Sequence, residues 1–224
     1  MSLLDRLRGG LVVSCQPVDN GPMDRPDIVA AMAQAAIAGG AAGVRIEGIE
    51  KLKIVRPMIE APIIGIVKCD LPESSARITV SVASAQALID AGADIVGYDA
   101  TPRPRVDERR EIVAAILSGG ALAMADCSTL EDAIAARKEG AVILGTTLSG
   151  YTPDTAAEDA GPDLPLLGKL RELGRFVMAE GRFDTPSLAA LAMTAGADAV
   201  TVGSALTRLE IATQWFAEAV RSRA

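Results

Sequence analysis

Short runs of β-branched and aliphatic residues recur along this chain, each preceded by a stretch with helical spacing and a glycine. The phrases AGGAAGVRIEG, DAGADIVGYDAT, KEGAVILGTT and TAGADAVTVGSA share this order of helix end, tight turn and new apolar run. A glycine placed there supplies the left-handed turn that ends a helix. The apolar run that follows has the continuous character of a strand buried on both faces. Gly40, Gly92, Gly140 and Gly196 are spaced by 52, 48 and 56 residues. Each interval accommodates two strand–helix units of about 25 residues, which makes eight units in all.

The pattern predicts strands at 11–15, 43–46, 63–67, 95–98, 121–125, 142–144, 176–179 and 199–202. Helical spacing lies between them, for example at 27–38, 80–91, 129–139 and 187–195. Thr129 ahead of Glu131 and Asp132, and Thr185 ahead of Pro186, are helix start signals. Alternation of this kind demands a parallel sheet. An open doubly wound sheet would carry fewer strands in 224 residues and a glycine-rich fingerprint after its first strand. Here the first strand runs into CQPVDNGPMD. The expected class is α/β, a (β/α)8 TIM barrel forming one domain over residues 1–224. The polar stretch 149–164 is long for a barrel loop and is a candidate lid.

Composition narrows the picture. Half of the residues are hydrophobic but only 3% are aromatic, so Ala, Val, Ile and Leu must build the core. The net charge of −7 argues against nucleic acid or an anionic membrane as partner. No apolar stretch approaches the ~20 residues that cross a bilayer. Cys15, Cys69 and Cys127 are odd in number and widely spaced, as expected of reduced thiols in a cytoplasmic protein. Histidine is absent. This removes Ser–His nucleophile pairs, imidazole proton shuttles and His-based metal sites together, and no metal or other cofactor is expected.

Barrel enzymes carry their chemistry where strands run out into the following loops. Those positions hold Gln16, Arg45 and Glu47, Lys68 and Asp70, Asp99, Asp126, Thr146 and Thr147, Glu180 and Arg182, and Gly203 and Ser204, with Arg208 shortly after. Any barrel has polar strand ends, and a terminal Lys is also compatible with a solvated or ion-paired side chain. Each cysteine adjoins a candidate, and neighbours in a strand face opposite ways. If Gln16, Lys68 and Asp126 face the mouth, the thiols face the helices and do not form a metal site. The last two loops, AEGRFDTP and VGSALTR, lie where barrels often bind phosphate. Gly181 and Gly203 permit close backbone approach, Ser204 can open a short helix, and Arg182 and Arg208 supply charge. The glycines are equally compatible with turn geometry alone.

With these segments in view, the chain resembles a known family. SCQ at 14–16, VRIEG at 44–48, IGIVK at 64–68, YDAT at 98–101, MADCST at 124–129, LGTTLSGYT at 144–152, AEGR at 179–182 and VGSALTR at 202–208 are similar, in the same order, to N-acetylmannosamine-6-phosphate 2-epimerases. The likeness spans residues 10–217 and departs at Cys69 and Leu209. It implies a barrel of the ribulose-phosphate-binding type. The implied activity interconverts N-acetylmannosamine 6-phosphate and N-acetylglucosamine 6-phosphate, a step of bacterial sialic acid breakdown. Proton transfer at C2 then falls to Lys68, with Glu180 as its partner. Gln16, Arg45 and Asp126 would hold the sugar, and Arg182, Gly203, Ser204 and Arg208 its phosphate. The resemblance also points to a homodimer, with LEIATQWFAEAVRSRA either closing the barrel or forming the contact. Two other readings stay open: a Schiff-base aldolase or synthase, and a barrel that binds sugar phosphate without catalysis. Ribulose-phosphate 3-epimerases depend on metal-bound histidine, which this chain lacks.

Overall fold

In the computed structural model, which describes residues 1–156 and 161–222, eight parallel strands close into a barrel in sequence order. They are β1 (Leu11–Cys15), β2 (Gly43–Glu47), β3 (Ile63–Ile66), β4 (Ile95–Asp99), β5 (Leu122–Asp126), β6 (Ile143–Gly145), β7 (Phe176–Glu180) and β8 (Ala199–Val202). The helices are α1 (Leu3–Leu7), α2 (Pro26–Ala38), α3 (Ile49–Val55), α4 (Val82–Asp90), α5 (Arg109–Ser118), α6 (Leu130–Glu139), α7 (Leu164–Arg171), α8 (Pro186–Thr194), α9 (Ser204–Thr207) and α10 (Leu209–Arg221). The expected strands match to within a residue or so at each end. The glycines at 40, 92, 140 and 196 all have φ between 95° and 113°, the left-handed conformation that the repeat required.

Two residues of each strand divide the work. Val13, Cys15, Val44, Ile46, Val96, Tyr98, Ala123, Ala125, Val177 and Ala179 pack outward against the helices. Their neighbours Val12, Ile64, Ile95, Met124, Ile143, Met178 and Ala199 fill the barrel interior with Leu7 of α1. α1 therefore stoppers the N-terminal end of the barrel, a helix that periodicity in the first ten residues did not announce. Ser2 and Asp5 close a reciprocal capping box at its start.

The AGAD repeat has a structural role at that same end. Asp94 and Asp198 each accept a hydrogen bond from the first residue, or nearly the first, of the neighbouring strand: Ile63 N at 2.9 Å and Val177 N at 2.8 Å. Arg56 pairs with Asp94, while Arg8 and Arg171 pair with Asp198. These carboxylates fasten the lower rim and leave the upper rim for chemistry.

Two roles were open for α10, and none of its residues is buried in the barrel. Leu209, Phe216 and Val220 are 61%, 76% and 73% exposed. Together with α8 and α9 it borders an apolar groove that includes Met193, Leu206 and Trp215. Among the described residues no helix is long and apolar enough to cross a membrane.

Candidate active site

The alternation that sends Ile64 and Met124 inward sends the residues two positions later inward as well. At the C-terminal ends of the strands these are polar. Ser14 and Gln16, Arg45, Lys68, Asp99, Thr147, Glu180, Thr201 and Gly203 surround a cavity of about 380 Å³ at the barrel mouth, with Arg182, Ser204 and Arg208 from the last two loops. Eight of the nine expected site residues line it. Asp126 does not: it is fully enclosed beneath Arg45 and Thr147, which take up its oxygens.

The floor is an ion-paired cluster. Arg45, only 1% exposed, donates from Nη1 and Nη2 to the two carboxylate oxygens of Asp126 at 3.1 and 2.7 Å. Nη1 also donates to Glu180 Oε2 at 2.8 Å. Thr147 Oγ1 donates to Asp126 Oδ1 at 2.6 Å and lies 3.4 Å from Glu180 Oε2. The residues come from β2, the end of β5, the loop after β6 and the end of β7, so the cluster exists only when the barrel is closed. Burial works against the Arg45 charge, yet the two carboxylates outweigh it and hold the guanidinium protonated. Gly97 on β4 makes room for this crossing. A Cβ there would sit 2.9 Å from Ile66 Cγ2, 3.5 Å from Asp126 Oδ2 and 3.7 Å from Arg45 Nη2.

Glu180 has a different balance. Burial pushes its carboxyl up to about 7; Arg45 opposes the shift, Asp126 adds to it, and the Thr147 hydrogen bond and Lys68 oppose it. Its Oε1 has no partner among the described residues. Lys68 shifts the other way. Burial lowers its pKa, Asp19 and Glu47 resist, and the cations of Arg208 and Arg45 push it further down. No ion pair or hydrogen bond to its ammonium occurs among the described residues. A lysine and a glutamate on one cavity, each moved towards its uncharged form, are suited to proton transfer near neutral pH.

The other expected residues have mixed duties. Gln16 Nε2 donates to Ser14 Oγ at 2.6 Å, which leaves its carbonyl oxygen to accept a donor. Arg208 Nε donates to the Gln16 backbone carbonyl at 3.1 Å, and its two terminal nitrogens have no partner among the described residues. Arg182 is more occupied than its sequence position suggested. Its Nη1 and Nε donate to the carbonyls of Ser149 and Gly161, both at 2.8 Å, and the guanidinium lies 5.0 Å from the Tyr151 ring centre. It thus braces both described ends of the 149–164 stretch; residues 157–160 of that candidate lid lie outside the described residues. Glu47 and Asp70 do not reach the cavity and pair with Lys51 and Arg77.

Cys15 and Cys127 face the helical layer as the phase argument required, and burial raises both thiols above their ordinary range. Among the described residues no His, Cys, Asp or Glu side chains are grouped so as to hold a metal ion. Sequence reasoning missed Ser14, although it lies two positions before Gln16 and strand parity would have found it. It also missed Ser75, Arg77, Arg103 and Tyr151, which reach the cavity from loops and carry no periodic signal.

Comparison with known proteins bears on this geometry. A family model described as "Putative N-acetylmannosamine-6-phosphate epimerase" matches residues 29–222. A Haemophilus ducreyi protein named as a 2-epimerase of that sugar phosphate is 56% identical over 220 residues, 98% of this chain and 95% of that one. A Haemophilus influenzae protein of the same name is 52% identical over 98% of this chain and 96% of its own length. Among solved structures, the N-acetylmannosamine-6-phosphate 2-epimerase from Clostridium perfringens superposes with a TM-score of 0.93 at 36% identity, covering 97% of this chain and 96% of that one.

Proposed function

Since this chain belongs to the N-acetylmannosamine-6-phosphate epimerase family, we propose a division of labour among its cavity residues for inversion at carbon 2. The protein is an isomerase that interconverts N-acetylmannosamine 6-phosphate and N-acetylglucosamine 6-phosphate, which differ only in the configuration at C2. In the open-chain sugar the C1 aldehyde acidifies the C2–H. A base removes that proton, an enolate forms, and a proton returns to the opposite face.

Lys68 is the base. The observation that carries this assignment is a Lys68 side chain with no anionic partner among the described residues, facing a cavity in which burial and two arginines favour its neutral form. Glu180 is the proton-carrying partner, its Oε2 fixed by Arg45 and Thr147 and its Oε1 free to act. Arg45 gives three hydrogen bonds to carboxylates and so acts first to aim Glu180, and its positive charge beneath the cavity favours the negative charge that develops on the enolate. Asp126 positions Arg45 and Thr147 from beneath the floor. Gln16 accepts a sugar hydroxyl or the acetamide N–H.

The phosphate is assigned to the rim formed by Gly181 and Arg182 on one side and Gly203, Ser204 and Arg208 on the other. Support comes from the terminal nitrogens of Arg208, which have no partner among the described residues, and from the close backbone approach that the glycines allow. The free thiols agree with a cytoplasmic location. We assign a homodimer, with a second copy of the chain covering the apolar side of α10.

One experiment tests the reaction and its rivals. Purified protein with N-acetylmannosamine 6-phosphate in D₂O should yield N-acetylglucosamine 6-phosphate with deuterium at C2. Borohydride added during turnover should leave the protein mass unchanged. A gain of sugar mass on Lys68 would instead make it a Schiff-base enzyme, and binding without turnover would make it a non-catalytic barrel.

A further inference from the structure

The segment that carries Lys68 is a hairpin arching over the cavity, not a plain strand end. Thr79 N donates to Val67 O at 2.7 Å, Lys68 bridges to Ile78, and Cys69 N donates to Arg77 O at 3.0 Å. The return strand is joined to β4 where Asp99 N donates to Ile78 O at 2.8 Å. Thr79, at the hairpin base, is 1% exposed and has φ of 44°, a left-handed conformation that a β-branched residue adopts only when its surroundings enforce it.

Arg103, from the loop after β4, ties the far end of this hairpin to the same strand. Its Nη1 donates to both Ser75 O and Ser75 Oγ, each at 2.9 Å, near the hairpin tip. Its Nη2 donates to Asp99 Oδ2 at 2.6 Å and its Nε to Thr101 Oγ1 at 2.8 Å. Asp99 is itself fixed, since its Oδ1 accepts from Thr101 N at 3.0 Å and from Thr101 Oγ1 at 2.6 Å. Four donors of a half-buried guanidinium are thereby given to the protein. What remains faces the cavity poorly equipped to grip an anion.

We propose that Arg103 is a positioning residue for proton abstraction: by tying Ser75 on the hairpin to Asp99 at the end of β4, it holds the wall that seats the Lys68 amine and keeps water from it. The inference rests on the reading of Lys68 as the base. Loosening the tie admits water to the amine and favours the ammonium form. It also lets the nitrogen drift, and a displacement of about 1 Å can lower a rate about a hundredfold.

The test measures kcat, KM and the pH dependence of kcat/KM for Arg103→Ala and Arg103→Lys, with Ser75→Ala and Lys68→Ala alongside. Thermal unfolding checks that each is folded, and Arg103→Lys carries the test if Arg103→Ala does not fold. Arg103→Ala should lower kcat by about tenfold to a hundredfold, change KM less than about threefold, and move the basic midpoint of the pH profile upward. Arg103→Lys should lie between it and the parent, and Ser75→Ala, which keeps the carbonyl contact, should be mild. A raised KM with an unmoved pH midpoint makes Arg103 a substrate ligand and overturns the proposal, as does unchanged activity. If Lys68→Ala still exchanges the C2 proton, the base assignment fails and this inference with it. If Lys68→Ala is dead while the Arg103 variants keep the parental pH midpoint, only the inference about Arg103 fails.

Discussion

The proposed roles of Lys68 and Glu180 rest on pKa values that burial moves in opposite directions, each towards the uncharged form. Lys68→Ala should abolish both epimerisation and C2 deuterium exchange, a loss of at least ~10²–10⁴-fold. It should still bind the sugar phosphate, because Gln16, Arg45 and the phosphate rim remain. The parent's kcat/KM should rise with pH through a midpoint below the ordinary lysine value of 10.5. A folded Lys68→Ala protein that exchanges deuterium at near-normal rate sinks the assignment, and Glu180→Gln becomes the next variant to examine. Glu180 also affects stability. Between pH 4.5 and about 7 the unfolded chain has released this proton while the folded chain retains it. The folded state then binds more protons, so stability falls as pH rises across that window. Glu180→Gln should flatten this part of the curve in urea unfolding measured at several pH values. Arg208→Ala belongs to binding: losing a charge-assisted hydrogen bond costs about 1.5–3 kcal/mol, so KM should rise about ten- to a hundredfold with kcat little changed. An unchanged KM places the phosphate elsewhere.

Among the strands, β4 shows how one absent side chain serves residues on two others. Gly97 leaves the space through which Arg45 on β2 reaches Asp126 on β5. In Gly97→Ala the new methyl would meet Ile66 at 2.9 Å, and the barrel interior has little slack on that side. Overpacking of this kind costs about 1–3 kcal/mol. The expected result is a lower unfolding midpoint together with reduced kcat, because Arg45 and then Glu180 are displaced. Parental stability and activity would show that the pair tolerates the crowding. Strand identity was legible from the apolar runs and their glycine turns. The hairpin after β3 was not, since its residues 67–79 show no alternation strong enough to separate a hairpin from a loop, and its bonds to β4 depend on a loop some 20 residues on.

The molecule as a whole leaves one surface unexplained by the barrel. α10 exposes Phe216 and Val220 and borders an apolar groove beside α8. A contiguous exposed apolar surface of this kind marks an interaction site. Phe216→Asp should shift the proposed dimer towards monomer in light-scattering measurements and leave the barrel's circular dichroism intact. A parent protein that is monomeric at micromolar concentration overturns the dimer.

The repeated glycines, the eight apolar runs and their two-residue phase were sufficient to specify the barrel and to point Gln16, Arg45, Lys68 and Glu180 into its mouth. Those are local properties: a turn that needs positive φ, and a strand whose faces alternate. The same phase placed Asp126 inward but could not say which groups its oxygens would meet. Its two oxygens are taken by Arg45 and Thr147, residues 81 and 21 positions away. Arg182 likewise turned out to be shared with the carbonyls of Ser149 and Gly161. Ion pairs and hydrogen bonds of this range depend on which strands become neighbours around a closed ring and how their registers align. No window along the chain contains that information, so the allocation of polar groups between substrate and scaffold emerged with the closed fold.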